Sequence, residues 1–128
     1  MKRVNATSTN SGFAGDLRPK LTALVVEDSA LQRRIISTYL KSWGYTVLEA
    51  ETGVEALQIC EAQPPDLVVS DWMMPKMDGL EFCRRFRALP RESYGYFILL
   101  TSKSEKQEVA QGLDCGADDF LSKPVNKV

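Results

Sequence analysis

The stretch VVSDWMMP, residues 68–75, begins like a buried β-strand and ends in residues that strands avoid. Two β-branched valines lead into a carboxylate, Asp71, and an indole, two thioethers and a proline follow it. Asp and Pro are both depleted in strands, so the strand has to end here. Asp71 therefore lies where the most strand-like run of the chain reaches the edge of its sheet, and it is the first candidate for a functional residue.

Strand-like and helix-like segments alternate on both sides of this stretch. The strand-like segments are LTALVVED, YTVLEA, DLVVSD, YFILLT and DDFLSKP, which start at residues 21, 45, 66, 96 and 118. The helical segments between them are SALQRRIISTYLKSWG, GVEALQICEA, LEFCRRFRAL and SEKQEVAQGLDCG. The strands are short and almost entirely apolar, as expected when helices cover both faces of a sheet. The alternation predicts an α/β fold with a parallel sheet.

Helix boundaries support this division of the chain. Four Ser, Thr or Asp residues stand three positions before a Gln or Glu, which is the spacing of a capping box. The pairs are Ser29 with Gln32, Thr52 with Glu55, Asp78 with Glu81 and Ser104 with Gln107. Gly44 is predicted to cap the end of the first helix. The apolar positions of that helix are predicted to be Leu31, Ile35, Ile36, Tyr39, Leu40 and Trp43.

The two ends of the chain differ from its centre. Residues 1–20 are polar and without periodicity, which predicts a flexible leader, and residues 21–128 are predicted to form one domain. Asn126 stands where a fifth helix would begin, but the chain stops at Val128. We therefore expect most of a fifth helix to be missing.

Composition argues against several classes of function. The 16 basic and 17 acidic residues nearly cancel, which argues against a nucleic-acid-binding face. No apolar run approaches the roughly 20 residues of a membrane helix, and no signal-peptide core follows the N-terminal Lys2 and Arg3. The absence of histidine and of Cys-x-x-Cys excludes Ser-His and Cys-His pairs and argues against zinc. Cys60, Cys83 and Cys115 are predicted to be reduced thiols in a cytoplasmic protein.

Reactive polar residues mark the ends of four of the five predicted strands. Glu27 and Asp28 end the first strand, Asp71 the third and Thr101 the fourth, and Lys123 ends the fifth. Because parallel strands end at one edge of a sheet, where ligands bind, these groups should converge. Clustered carboxylates repel one another unless a cation neutralises them, and oxygen ligands favour a hard ion such as Mg²⁺. A carboxylate beside Mg²⁺ can become an aspartyl phosphate, whose oxygens a lysine and a hydroxyl would bind.

Residues from about 21 to 126 resemble the receiver domain of two-component response regulators. The motifs that carry the resemblance are VVEDS, DWMMPKMDG, LLTS and GADDFLSKP, in this order. The resemblance implies a flavodoxin-like, doubly wound sheet with strand order 2-1-3-4-5. It further implies that Asp71 is the phosphoacceptor, that Asp28 and Asp71 bind Mg²⁺ directly, that Glu27 binds it through water, and that Met73 offers its backbone carbonyl.

The resemblance also assigns roles around the phosphoryl group. Thr101 and Lys123 would bind the phosphoryl oxygens, Phe120 would occupy the switch-aromatic position, and Lys123-Pro124 would be a cis peptide. A sensor histidine kinase or phosphotransfer protein would supply the phosphoryl group. The signal would pass to a C-terminal output domain or a partner, with a homodimer as a further option. The chain would then be a signalling switch in the cytoplasm, not an enzyme beyond its own phosphotransfer and autodephosphorylation.

Two other functions stay open at this point. A phosphatase with an aspartate nucleophile usually carries a second Asp two residues later, but Met73 stands there. An interaction module that is never phosphorylated would have no need of the five polar groups at the strand ends. Trp72 is predicted to be a partly exposed rim residue, and the methionines at 73, 74 and 77 are predicted to pack within their loop. Arg84, Arg85 and Arg87 are predicted to form a solvated face.

Overall fold

The computed structural model describes residues 20–102 and 115–123, and its elements follow the predicted alternation. They are β1 (Thr22–Val26), α1 (Ala30–Ser42), β2 (Thr46–Ala50), α2 (Gly53–Ala62), β3 (Leu67–Asp71), α3 (Gly79–Ala88), β4 (Tyr96–Thr101) and β5 (Asp119–Ser122). The strands form one parallel sheet in the order β2-β1-β3-β4-β5. The predicted flavodoxin-like α/β fold is confirmed.

The sheet separates two hydrophobic clusters, which explains why consecutive residues in the middle of its central strands are apolar. Leu24 and Val26 of β1 belong to the cluster that α2 and α3 cover, with Phe82 and Phe86 among its buried side chains. Ala23 and Val25 of β1 belong instead to the cluster that α1 covers. The helix α1 contributes Ile36 and Leu40 to this cluster. Successive residues of a strand point to opposite faces, so both sets must be apolar when both faces are covered.

Three of the four predicted capping pairs lie in the described residues, and in each of them the cap side chain accepts a hydrogen bond. The side chains of Ser29, Thr52 and Asp78 accept hydrogen bonds from the backbone N–H groups three residues later, at 3.3, 3.1 and 2.9 Å. Gly44 lies just beyond the C-cap of α1 with a φ of 96°. The N–H groups of Gly44 and Tyr45 donate to the carbonyls of Lys41 and Leu40, the Schellman arrangement that a left-handed glycine permits.

The predicted apolar face of α1 is only partly confirmed. Ile36 and Leu40 are buried, but 67% of Leu31 and 54% of Trp43 is exposed. One side of α1 contacts the sheet, and this buried side is narrower than the predicted apolar face. Trp43 follows the last helical residue and stacks on Tyr39, with ring centroids 6.2 Å apart.

The predicted solvated face of α3 is correct for two arginines and wrong for the third. Arg84 and Arg85 are exposed and pair with Glu81 on their own helix. Arg87 instead reaches the segment that precedes β5, where its Nη2 lies 2.7 Å from a carboxylate oxygen of Asp118 and its Nε donates to the carbonyl of Gly116 at 2.9 Å. Arg87 therefore ties α3 to the start of β5.

Several predictions fall outside the described residues. These are the leader up to residue 19, the fourth helix with its Ser104–Gln107 pair, the Lys123-Pro124 peptide and the start of the fifth helix at Asn126. None of the described helices has the length and apolar character needed to cross a membrane.

Candidate functional site

The predicted functional residues converge at the carboxyl edge of the sheet. Glu27 and Asp28 follow β1, Asp71 ends β3, Thr101 ends β4 and Lys123 follows β5. Carboxylate oxygens of the three acids lie within 4.8 Å of one another. The Nζ of Lys123 lies 3.0 Å from Oδ1 of Asp71 and 3.5 Å from Oε1 of Glu27. The edge therefore gathers three acids, two of which form ion pairs with the amine of Lys123.

Burial sets the protonation behaviour of this cluster. Glu27 and Asp71 are buried, and Asp28 is exposed. Burial, and after it the neighbouring charge of Asp71, raises the pKa of Glu27 to about 7, although the hydrogen bond from the N–H of Ser29 and the charge of Lys123 oppose the rise. Burial by itself lowers the pKa of Lys123, but its hydrogen bond and its charge contacts with Asp71 and Glu27 outweigh that effect and raise it. Lys123 is thus a firmly charged cation against two buried acids.

This donor set suits a hard divalent cation. Oε1 of Glu27 is buried and receives no hydrogen bond from the described residues, although Nζ of Lys123 lies 3.5 Å from it. When all three acids are ionised they leave excess negative charge against one lysine, and a divalent ion would neutralise it. All the side-chain donors are oxygen atoms, the ligands that Mg²⁺ prefers. Glu27, Asp28 and Asp71 therefore fit Mg²⁺.

Asp71 is held rigidly by close packing behind it. The N–H of Gly79, the first residue of α3, donates to the carbonyl of Trp72 at 2.7 Å. A β-carbon at Gly79 would collide with the carbonyl oxygen of Asp71 and would lie 2.9 Å from the α-carbon of Trp72. Only glycine allows α3 to begin this close to β3. Gly79 ends the motif DWMMPKMDG, yet sequence reasoning assigned it no role.

The loop from Trp72 to Asp78 is anchored by two of its three methionines. Met74 is buried in the core that α2 and α3 cover, and Met77 packs against the same core. Both pack against this core, not within the loop as predicted. Met73 does not share this packing, because 63% of its surface is exposed. The role of its backbone carbonyl stays a prediction.

The prediction that Trp72 is a partly exposed rim residue is wrong. Only 2% of Trp72 is exposed, and its ring lies 6.3 Å from that of Phe120 in β5. Its N–H donates to the carbonyl of Leu100 at 3.1 Å, so the backbone pairing of β3 with β4 continues past Asp71. The side chain of Trp72 then points away from the carboxylate of Asp71, into the core. Proximity in sequence to a polar residue is therefore a poor guide to exposure in a strand.

Thr101 and Phe120 lie on neighbouring strands, β4 and β5. Thr101 is buried at the end of β4, and its carbonyl accepts a hydrogen bond from the N–H of Lys123 at 2.7 Å. The backbones that carry the hydroxyl and the amine are thus joined directly. Phe120 is half-buried against Trp72. A further residue at the site, Arg33 of α1, donates to the backbone carbonyl of Glu27 at 2.7 Å, and sequence reasoning missed it.

Comparison with known sequences points to one family. The family model for the response regulator receiver domain matches residues 23–128. A probable transcriptional regulator, ycf27, of Porphyridium aerugineum is 45% identical over 101 residues, which cover 79% of this chain and 41% of that protein. The chain spans less than half the length of the curated relatives it matches.

Solved structures agree with the sequence comparison. The chemotaxis response regulator CheY4 of Vibrio cholerae has a TM-score of 0.78 and 31% identity, with 84% of this chain and 90% of that one covered. The receiver domain of the sensor histidine kinase PA1611 of Pseudomonas aeruginosa has a TM-score of 0.73 and 29% identity, with 83% and 87% covered. A magnesium ion is coordinated in the active-site cleft of that domain.

Proposed function

The chain belongs to the family of response regulator receiver domains, which act in phosphorylation-dependent signalling, and we propose that Asp71 is the residue that accepts the phosphoryl group. The observation that carries the proposal is the contact between Lys123 and Asp71, 3.0 Å long, at the edge where Glu27 and Asp28 also lie. A charged lysine beside one buried carboxylate is the arrangement needed to bind the oxygens of a phosphoryl group attached to that carboxylate.

The donor is a phosphohistidine of a sensor kinase or phosphotransfer protein, since the 128 residues of this chain contain no histidine. A carboxylate oxygen of Asp71 attacks phosphorus, the phosphorus–nitrogen bond breaks, and its electron pair stays on the imidazole of the donor, which takes up a proton. The product is an acyl phosphate on Asp71. The chain itself acts as a signalling domain whose chemistry is limited to this transfer and to the later loss of the phosphoryl group to water.

Mg²⁺ is the proposed cofactor. Asp28 and Asp71 would hold it directly, Glu27 through a water molecule, and Met73 through its backbone carbonyl. Bound Mg²⁺ supplies positive charge that offsets the negative charge of the phosphoryl oxygens in the transition state. The convergence of the three carboxylates supports this assignment, and so does the magnesium ion in the related receiver domain of PA1611.

Lys123 and Thr101 are the proposed partners of the phosphoryl oxygens. Lys123 already pairs with Asp71, so it needs only a small movement to reach an oxygen attached to that side chain. Thr101 ends the strand beside β3, and its backbone is bonded to that of Lys123. We propose that Thr101 moves toward the phosphoryl group and that Phe120 follows into the space it leaves. This movement would change the surface around β4 and β5, and a partner that binds this surface would detect the change as the signal.

Residues 21–128 are the proposed receiver domain, and residues 1–20 a flexible leader. The curated relatives are longer than this chain, so an output domain after the receiver domain and a homodimer are proposals about the parent protein. A cytoplasmic location is a proposal as well. It rests on the three free thiols and on the family's dependence on a histidine phosphodonor.

Intact-mass spectrometry with acetyl phosphate and Mg²⁺ tests the proposed function. The wild-type protein should gain the mass of one phosphoryl group, and Asp71→Asn should gain none. Asp66→Asn is the matched control, because Asp66 lies at the opposite end of β3 and its carboxylate accepts a hydrogen bond from the N–H of Thr22. The control should be labelled like the wild type. Labelling of Asp71→Asn to the same extent would refute the assignment.

A further inference from the structure

Arg33 of α1 contacts both the loop that carries the first two acids of the site and the residues at the end of β2. Its Nη1 donates to the backbone carbonyl of Glu27 at 2.7 Å. Its Nε donates to Oε1 of Glu49 at 3.3 Å, and its Nη2 lies 3.8 Å from Oε2 of Glu51. Only 13% of the Arg33 side chain is exposed, compared with 41% for Glu49 and 67% for Glu51. The guanidinium is therefore an ordered group next to the proposed metal site.

These contacts fix the backbone that carries the two acids of the β1–α1 loop. The N–H of Glu27 donates to the carbonyl of Ala50, the last residue of β2, at 3.1 Å, and its carbonyl accepts the bond from Arg33. Both backbone groups of Glu27 are thus tied to groups outside its own loop. Asp28 is the next residue and its side chain is exposed, so its direction depends on how the Glu27–Asp28 peptide is held.

Support of the helix does not explain Arg33. A cation near the N-terminus of a helix is disfavoured by the helix dipole, which favours acids there. The ion pairs with Glu49 and Glu51 involve exposed carboxylates, and such pairs contribute little to stability. Of the three contacts, the hydrogen bond to the Glu27 carbonyl is the shortest. It is also the one that joins the charged guanidinium to the backbone beside the acid site.

We propose that Arg33 is a positioning residue for the divalent-cation site, which it serves by holding the Glu27–Asp28 peptide so that both carboxylates face Asp71. The inference rests on the proposed function, since it assumes that the acids bind Mg²⁺. The positioning role and simple electrostatics predict opposite changes in the affinity for Mg²⁺ when Arg33 is replaced by a neutral residue. Removal of a positive charge near a cation site should strengthen cation binding through Coulomb attraction alone. Loss of a positioning contact should weaken it.

Titration calorimetry with Mg²⁺ separates the two effects. Arg33→Ala should weaken Mg²⁺ binding about tenfold, which is the lower end of the range for lost outer contacts of metal ligands. Arg33→Lys keeps the positive charge but lacks the planar guanidinium group with its several N–H donors. Its affinity for Mg²⁺ should therefore lie between those of the wild type and of Arg33→Ala. Arg34→Ala is the matched control, because Arg34 is the exposed neighbour of Arg33 on α1. It reports the effect of charge alone and should leave binding unchanged or slightly stronger.

Only variants that are folded at the assay temperature are compared. The unfolding temperature of each variant is measured by circular dichroism without metal. If Arg33→Ala is unfolded at the assay temperature, Arg33→Lys decides, and it should weaken binding less than tenfold but by more than Arg34→Ala. Wild-type affinity in folded Arg33→Ala, or equal losses in the Arg33 and Arg34 variants, would overturn the positioning role. A wild-type protein that bound no Mg²⁺ would instead overturn the proposed metal site, and the role of Arg33 with it.

Discussion

The ring of Phe120 packs on the indole of Trp72, with ring centroids 6.3 Å apart and planes inclined by 45°. Trp72 directly follows the proposed phosphoacceptor, and Phe120 lies three residues before Lys123 on β5. The contact therefore joins the strand that would be phosphorylated to the strand that would respond. Any movement of Phe120 must change the surroundings of Trp72.

Tryptophan fluorescence should report this movement. Beryllofluoride with Mg²⁺, which mimics a phosphoryl group on an aspartate, should change the emission of Trp72 when Phe120 leaves its ring. Trp43 is exposed and would obscure the signal, so the measurement belongs in a Trp43→Phe background. Phe120→Leu should lose most of the change. An unaltered spectrum in the Trp43→Phe protein, despite bound beryllofluoride, would argue against the proposed switch.

Glu27→Gln should stabilise the metal-free protein while it weakens the binding of Mg²⁺. The Glu27 side chain is buried next to Asp71, and repulsion between the two carboxylates exceeds what one lysine offsets. A neutral amide removes that repulsion, so at pH 8, where Glu27 with its pKa of about 7 is ionised, we expect a gain of about 1 kcal/mol in the free energy of unfolding. Chemical denaturation in EDTA measures it. Glu92→Gln, at an exposed acid, is the control and should change little; a less stable Glu27→Gln protein would contradict the electrostatic description of the site.

Gly79→Ala should damage both stability and phosphorylation. Its β-carbon would push against the carbonyl of Asp71 and the backbone of Trp72, so either α3 or the end of β3 has to shift. We expect a loss of roughly 2–4 kcal/mol in the free energy of unfolding and a lower rate of labelling by acetyl phosphate. Gly44→Ala is the matched control. Gly44 has a φ of 96° with no atom near its absent β-carbon, so this variant should lose about 1 kcal/mol and keep a wild-type labelling rate.

The three thiols should be unreactive in the folded protein. Cys60, Cys83 and Cys115 are free and buried, as predicted for unpaired thiols. Burial raises the pKa of Cys60 to about 12, from an ordinary value of 9.0. Because the raised pKa keeps the thiol protonated, labelling by a disulfide reagent should be slow at pH 8 and should accelerate as the pH rises above 9. The free energy of unfolding should fall over the same range, since the unfolded thiol ionises first.

A colorimetric thiol assay with and without denaturant checks this behaviour. Denatured protein at pH 8 should release the full signal of three thiols at once. A thiol of the folded protein that reacts as fast as those of the denatured protein would contradict the burial on which the prediction rests.

Much of the fold follows from local patterns. The caps at Ser29, Thr52 and Asp78 and the apolar strands between them are set by neighbouring residues, so the order and limits of the elements are readable from the sequence. The convergence of Glu27, Asp71 and Lys123 is readable as well, because parallel strands end at one edge.

Features that depend on which way a side chain points could not be predicted in the same way. Arg33 and Arg34 are adjacent and chemically identical, but only Arg33 faces the Glu27 carbonyl. Arg87 bonds to Gly116 and Asp118, which lie 29 and 31 residues away in the sequence. Patterns of neighbouring residues do not predict contacts over such separations. The role of Gly79 is visible only once α3 is seen to begin against β3.

The most direct measurement for the account as a whole is the position of the phosphoryl group. Protein treated with acetyl phosphate and Mg²⁺ is reduced with borohydride, which converts an aspartyl phosphate to homoserine, and its peptides are sequenced by tandem mass spectrometry. We predict homoserine at residue 71 and at no other position, and none when Mg²⁺ is removed with EDTA. Homoserine at Asp28, or an unmodified Asp71 in protein that has gained a phosphoryl group, would contradict the account.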